Sequence, residues 1–252
     1  MLNPLLAYAV SVLGCVLGLR CTARGQWSAG RARALWLLAG AAAIGGTGIW
    51  VMHFIAMLGF SVTGTQVRYD IPRTLLSLLV AIVIVAIGLF IVGFRGTGTV
   101  PLLQGGTVTG LGVAAMHYMG MAAIGLNGHI HYAAGTVVLS VVIAVGASTA
   151  ALWAAMRVHR AWATVGAAMV MGVAVCSMHY TGMAAVHVTT GGHGTVPGTA
   201  ATAFLVPMMT AILLLTFVLL GAVLLDPPRE LVSPRTPATP DEREKTSLFE
   251  RR

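Results

Sequence analysis

Residues 163–187 read ATVGAAMVMGVAVCSMHYTGMAAVH, a run without an acidic residue, a lysine or an arginine. A helix needs about 20 predominantly apolar residues to cross a bilayer, so this run predicts a transmembrane helix. Late in the run stands the hexapeptide MHYTGM, at 178–183. Related hexapeptides stand late in two earlier apolar runs, MHFIAM at 52–57 and MHYMGM at 116–121. Their histidines follow one another after 64 and 62 residues, which indicates an internal repeat.

The composition predicts a membrane protein along most of the chain. Of its 252 residues, 57% are hydrophobic and 9% are charged, and the mean hydropathy is +0.88. Soluble domains have roughly 25% charged residues. We therefore predict an all-α integral membrane protein with seven transmembrane helices, lying in the lipid bilayer of the plasma membrane as a multi-pass protein. The predicted spans are 3–19, 35–60, 74–94, 103–126, 135–156, 163–187 and 203–225.

The net charge of +8 is explained by membrane topology rather than by nucleic-acid binding. Seven arginines lie in the first, third and fifth loops, and cytoplasmic loops carry such an excess. The second loop has Arg68 and Arg73, offset by Asp70, and the fourth and sixth loops have no lysine or arginine. This places the N-terminus outside and the C-terminus inside. The arginines concerned are Arg20, Arg24, Arg31, Arg33, Arg95, Arg157 and Arg160.

Two regions are expected, a membrane domain at 1–225 and a disordered cytoplasmic tail at 226–252. The tail is rich in proline, with balanced charges and almost no large apolar side chains, and such sequence cannot form a core. No cytoplasmic output domain is expected within it.

Each repeat comprises two spans: helices two and three, four and five, and six and seven, with helix one extra. Because each unit crosses the membrane twice, the copies have the same orientation and are parallel repeats. The three motif histidines, His53, His117 and His179, are then at a similar depth in the outer half of the bilayer and can meet.

The residue types of the motif favour a copper site. On an α-helix the methionine four residues after each histidine lies about 40° from it, and the preceding methionine lies about 100° to the other side. Thioethers and imidazoles suit Cu(I) and suit zinc, magnesium or calcium poorly. Cys176 and His187 are further candidates in the third copy. The predicted metal ligands are Met52, His53, Met57, Met116, His117, Met121, Met178, His179 and Met183.

Simpler interpretations of these residues exist. Methionine in a membrane helix usually packs, and an intramembrane histidine often forms a hydrogen bond with a neighbouring helix. His129, His131 and His193 fall in the outer loops, as solvated residues or as an access route. The predicted spans contain no charged residue, and no hydrolytic or phosphoryl-transfer residue set is evident, so the chain is not expected to be an enzyme.

At these residues the chain resembles the MHYT-domain family of bacterial integral membrane sensors. Met178-His179-Tyr180-Thr181 spells the family motif, and the copy at 116–119 differs at its fourth residue. Gly48-Ile49-Trp50-Val51-Met52-His53-Phe54 is similar to the usual first copy. The resemblance covers about 1–225. It implies a sensor of oxygen, carbon monoxide or nitric oxide that holds copper through motif Met, His and Tyr side chains.

The leading functional hypothesis is a copper-containing sensor of a diatomic gas or of redox state, in signal transduction. Many family members carry cyclic-di-GMP or DNA-binding output domains after the last helix. Because no such domain is expected here, an unidentified cytoplasmic or membrane partner would read the signal. Two alternatives are a copper-handling membrane protein, and an anchoring or structural subunit of a membrane complex.

The arginine pattern makes a topological prediction. A reporter protein fused after Arg252 or inserted within 20–34 should be cytoplasmic, and one inserted within 127–134 or 188–202 should be external. Activity of paired cytoplasmic and periplasmic reporters measures this. An external reporter after Arg252 would contradict both the helix count and the shared depth of the motifs.

Overall fold

Seven long helices lie within the described residues, as predicted. The computed structural model describes residues 2–191 and 194–225. Six of the helices are long and apolar enough to cross a membrane, and α4 is as long but richer in glycine and threonine. The chain is thus a multi-pass protein of the plasma membrane. The helices are α1 Leu2–Gln26, α2 Gly30–Met57, α3 Ile71–Arg95, α4 Thr99–Ala122, α5 Ala134–Arg157, α6 Ala161–Ala184 and α7 Leu205–Leu225.

The helix ends differ from the predicted ones at both sides of the membrane. Helix α1 continues to Gln26 and α2 already begins at Gly30, so Arg20 and Arg24 lie in a helix rather than in a loop. A long arginine side chain can extend from a helix end to a polar group. Arg24 does so, since its Nη2 donates to the carbonyl oxygen of Val223 at 2.6 Å.

The predicted tail at 226–252 and His193 lie outside the described residues. The expectation of disorder in the tail stays a prediction.

The helix that carries the first motif copy is irregular. Its segment Ala42–Val51 is π-helical, and α-helix resumes at Met52. In lipid every backbone carbonyl needs a partner from the protein. Ser11 of α1 provides one, because its hydroxyl donates to the carbonyl oxygen of Gly48 at 2.8 Å. Short π-helical stretches occur frequently at functional sites.

Six helices form a closed ring around a central axis. The motif helices α2, α4 and α6 alternate with α3, α5 and α1, and each of these three packs extensively against both neighbouring motif helices. Helix α1 thus closes the ring between α6 and α2, in the place that the sequence repeat assigns to α7. Helix α7 packs outside the ring on α1 and α2, where the hydroxyls of Thr47 and Thr216 are hydrogen-bonded at 2.7 Å.

A small β-structure covers the ring at the end where the motifs lie. The motif helices end at Met57, Ala122 and Ala184, three or four residues earlier than predicted. After the second and third of these helices, a strand begins within two residues. An isolated bridge also joins Tyr69 to Thr199, so all three loops at this end are linked. The paired strands are β1 Arg68–Tyr69 with β2 Ile124–Gly125, and β3 Gly128–Tyr132 with β4 Val186–Thr190.

The sequence analysis did not predict these strands. Two of them have two residues, which is too short for a pattern to show. The segments Gly128–Tyr132 and Val186–Thr190 do alternate between apolar and polar residues, and that period of two is typical of strands.

Close helix contacts in the ring depend on glycine, as expected for helices that pack in lipid. Two adjacent glycines of α2 differ sharply. A Cβ atom at Gly45 would lie 2.6 Å from the carbonyl oxygen of Ala81 in α3, whereas the nearest atom to one at Gly46 is Ile82 Cδ1 at 3.9 Å.

We expect Gly45→Ala to lower the free energy of unfolding by about 1–3 kcal/mol, because the added methyl group would push α3 away from α2. The control Gly46→Ala adds the same methyl group where there is space for it. It should change the free energy of unfolding by less than about 1 kcal/mol. Unfolding of the two purified variants in detergent micelles measures the difference. Equal stability would show that α2 and α3 are not in such close contact.

Candidate metal centre

The three motif histidines meet inside the ring. Nδ1 of His53 lies 3.0 Å from Nδ1 of His179 and 3.2 Å from Nδ1 of His117. All three side chains are at most 1% exposed. The convergence predicted from the common depth of the three copies is therefore present in the structure.

The three imidazoles are arranged with approximate three-fold symmetry. Their ring centroids are separated by 4.9, 5.0 and 5.1 Å, and each pair of ring planes meets at 83–85°. Such similar distances and angles are expected when three equivalent residues are presented by three equivalent helices. We call His53, His117 and His179 the histidine triad.

Glycine in the second and third motif copies makes room for the triad. A Cβ atom at Gly120 would lie 2.6 Å from His53 Nε2, and one at Gly182 would lie 2.5 Å from His117 Nε2. Each glycine therefore accommodates the imidazole of the preceding copy rather than that of its own helix. Ala56 has the corresponding position in the first copy.

Hydrogen bonding alone does not satisfy the triad. Nε2 of His53 and Nε2 of His117 are buried without a partner. A neutral imidazole has one N–H, so three inward Nδ1 atoms bring lone pairs together unless protons or a cation lie between them. The described residues contain one carboxylate, that of Asp70, and it accepts from the backbone N–H of Arg73 at the start of α3.

The donor set fits a small, soft metal ion. A trigonal ion about 2.0 Å from three nitrogens sets those nitrogens about 3.5 Å apart, a few tenths of an ångström more than the two Nδ1 distances that His53 makes here. In the described part of the chain, the three histidines are the group of three His, Cys, Asp or Glu side chains whose ligand atoms all lie within 4.8 Å of one another.

Five of the six motif methionines are buried. Met52, Met57, Met116, Met121 and Met178 are at most 1% exposed, and Met183 is half-buried. Their role as metal ligands stays a prediction.

Two of these methionines have identified packing roles. Met52 packs with Ala7 and Ala56 in a small apolar cluster, whereas Met178 belongs to the main core and lines a cavity inside the ring.

Cys176 and His187 do not join the triad within the described residues. Cys176 is half-buried beside the cluster of Met52 and Ala56. His187 was expected on the motif helix, but α6 ends at Ala184 and His187 lies on strand β4. The helical phase that related it to His179 therefore does not apply.

Aromatic side chains and the β-structure separate the triad from solvent. Phe54 lies between His53 and Tyr69, with ring centroids 4.7 and 6.0 Å away. Tyr69, on β1, is 2% exposed, and burial raises its pKa to about 12, so its hydroxyl is neutral at physiological pH. Tyr118 packs on His117 at 4.9 Å and pairs its hydroxyl with that of Ser140 at 2.7 Å.

An apolar cavity of about 50 Å³ begins on the other side of the triad. Ile49, Val113 and Val175 line it, each four residues, or one helical turn, before a motif histidine. The polar side chains in its wall are Thr109 and Ser148. The triad therefore lies between a covered outer surface and an apolar interior.

A ring of membrane helices around a buried histidine triad, presented by three repeated motifs, defines an integral membrane protein with a candidate metal centre. The sequence model described as "Bacterial signalling protein N terminal repeat", the MHYT repeat, matches at 46–106, 110–168 and 172–231. These matches cover well over half of the chain, which thus belongs to the MHYT family.

Curated relatives are much longer signalling proteins. The chain is 42% identical over 181 residues to the bifunctional diguanylate cyclase/cyclic di-GMP phosphodiesterase MucR of Pseudomonas aeruginosa, a match that covers 70% of this chain and 26% of the relative. It is 39% identical over 157 residues to the cyclic di-GMP phosphodiesterase NbdA of the same species, covering 60% and 20%. An uncharacterized signaling protein of Caulobacter vibrioides is 38% identical over 195 residues, covering 77% and 24%.

The chain thus spans about a quarter or less of the length of these relatives. No solved structure gives a significant match to it.

The packing of a motif glycine against the imidazole of another copy makes a prediction. Gly182→Ala places a methyl group against His117 Nε2, so it should displace one imidazole and lower the affinity for any ion held by the triad by at least about tenfold. The control Gly166→Ala lies on the same helix with open space around it and should change neither affinity nor stability appreciably. Titration of both variants with Cu(I) measures this. An equal effect at the two positions would contradict the proximity of Gly182 to the triad.

Proposed function

We propose that the chain is a membrane sensor in which the histidine triad holds copper and responds to a diatomic gas or to redox state. The observation that carries this proposal is the meeting of three buried imidazoles, in which Nδ1 of His53 lies 3.0 Å from Nδ1 of His179 and 3.2 Å from Nδ1 of His117. Membership of a family of signalling repeats supports the sensory role.

Charge favours a monovalent ion at the triad. The ligands are neutral imidazoles, aided by neutral thioethers, and no carboxylate of the described residues faces them. The cost of burying an ion in a medium of low dielectric constant rises with the square of its charge, so the triad should hold Cu(I) more tightly than Cu(II). Imidazole and thioether donors suit Cu(I).

When bound, copper supplies reversible coordination of oxygen, carbon monoxide or nitric oxide and exchange of one electron. The triad would hold it by Nδ1, with Met57, Met121 and Met183 as weaker ligands. Gly120 and Gly182 position two of the imidazoles, and Phe54 and Tyr69 exclude water from above.

The apolar cavity supports a gas as the ligand. Diatomic gases dissolve in lipid, and a dry cavity lined by aliphatic side chains can hold a small apolar molecule. Because the cavity begins one turn below each motif histidine, a gas within it would be close to the triad. The same apolar lining disfavours the copper-handling alternative, since an ion crossing the ring would need polar groups along its path.

The signal would leave through the helices. A ligand shifts an equilibrium between two packings only by its difference in affinity for them. Each triad histidine belongs to a different helix. A change in the ligands of the ion would therefore alter the packing of α2, α4 and α6 together. We propose that a cytoplasmic or membrane partner reads this change. The printed activities of the relatives MucR and NbdA make cyclic-di-GMP metabolism the output to examine first.

The test is metal content. Purified protein loaded with Cu(I) should hold about one copper per chain, and His53→Ala/His117→Ala/His179→Ala should hold none, because imidazoles are the strong ligands. Replacing Met57, Met121 or Met183 with Leu should weaken binding less. Carbon monoxide added to the loaded wild-type protein should give an infrared band that the triple variant lacks.

His159→Ala is the matched control, because His159 is exposed at the opposite end of the bundle. It should retain the copper and the infrared band. If the triple variant does not fold, the single variant His117→Gln takes its place in the test. It should lower the affinity for Cu(I) by at least about tenfold. Copper content equal to that of the wild-type protein in a folded triad variant would refute the metal centre. Copper binding without any gas-dependent or redox-dependent change would refute the sensor.

A further inference from the structure

A second group of histidines lies outside the membrane-spanning helices, on the ribbon formed by β3 and β4. The ribbon alternates in burial: Ile130, Val186 and Val188 are partly covered, whereas His129, His131 and His187 are exposed. In a strand, successive side chains point to opposite faces. The ribbon therefore has an apolar face towards the protein and a histidine-bearing face towards solvent.

Strand register brings these histidines together. His131 and His187 are directly opposite each other in the antiparallel pair. Side chains so placed have Cβ atoms about 4.5–5.5 Å apart. His129 is two residues before His131 on the same face, and their ring centroids are 6.4 Å apart.

Thr189, opposite His129, completes the patch. Its hydroxyl lies 3.4 Å from His131 Nε2.

The ribbon holds its histidines on an anchored backbone. Strand β4 begins two residues after α6 ends, and β3 ends two residues before α5 begins. The backbone N–H of Ala133 donates to the carbonyl oxygen of Ala185 at 2.9 Å, which continues the pairing up to the helices. Two imidazoles on such a backbone lose little freedom when they bind one ion.

We propose that His131 and His187, directly opposite each other on the ribbon, form a solvent-facing, two-imidazole site for a divalent transition metal ion. This site is separate from the histidine triad and does not depend on the sensor function. Imidazole suits copper, zinc and nickel, and by the usual order of stability Cu²⁺ binds most tightly. Solvent completes the coordination and reduces the cost of the double charge, so the outer site accepts the divalent ions that the buried triad disfavours.

The experiment titrates the full chain in detergent with Cu²⁺ and follows nitrogen coordination by electron paramagnetic resonance. His131→Asn and His187→Asn should each lower the affinity on the order of a hundredfold, since either change removes the intramolecular second ligand. The double variant should bind Cu²⁺ only slightly more weakly than either single variant, because each single change already abolishes chelation. His159→Asn, an exposed histidine at the opposite end of the bundle, is the matched control and should leave this binding unchanged.

The same titration in the variant without the histidine triad separates the two sites. Binding at the outer site should persist there, so loss of the triad and loss of the outer site give different results. Unchanged Cu²⁺ binding in the folded double variant, or an equal loss in His159→Asn, would overturn the proposal.

A second measurement needs no substitution. Zn²⁺ should protect His131 and His187 of the wild-type protein from modification by diethyl pyrocarbonate, and should leave His159 reactive. Equal modification of the three histidines with and without Zn²⁺ would also overturn the outer site.

Discussion

Three imidazoles buried at the axis of a helix ring are the constraint on which the rest of the structure depends. Their inward Nδ1 atoms are 3.0 and 3.2 Å apart, which requires three helices to present their histidines at the same depth and phase. Parallel repeats achieve this because each copy crosses the membrane twice and returns in the same orientation. The symmetry of the site is thus a consequence of the repeat, although the ring itself is closed by α1, which lies outside the repeat.

Small residues and irregular backbone make this packing possible in lipid. The backbone of α2 approaches α3 at Gly45, and Gly120 and Gly182 each leave room for an imidazole of another copy. Where the π-helical segment of α2 disturbs the regular pattern, Ser11 supplies a hydrogen bond to Gly48. Glycine therefore occurs where helices or imidazoles come closest, and a hydroxyl group pairs with the backbone where a carbonyl oxygen needs a partner.

The two histidine groups differ in solvation, and solvation is what would decide which ions each could hold. The triad lies in a dry interior without a carboxylate among the described residues, which favours a single positive charge. The ribbon of β3 and β4 faces solvent, so a divalent ion there keeps part of its hydration. A single chain can in this way present one ligand type, imidazole, in two environments, one sheltered by aromatic side chains and an apolar cavity, the other in contact with the medium.

The sequence by itself determined the seven helices, the three repeats and the identity and common depth of the triad, because hydropathy and spacing depend on local composition. It did not show that α1 rather than α7 closes the ring, since both are apolar helices without a motif and their place depends on which surfaces pack. Nor did it show that His131 and His187 are opposite each other, because register is set by contacts between strands 56 residues apart. The contact between a glycine of one copy and the imidazole of another was likewise visible only in the tertiary structure, because the two residues lie on different helices.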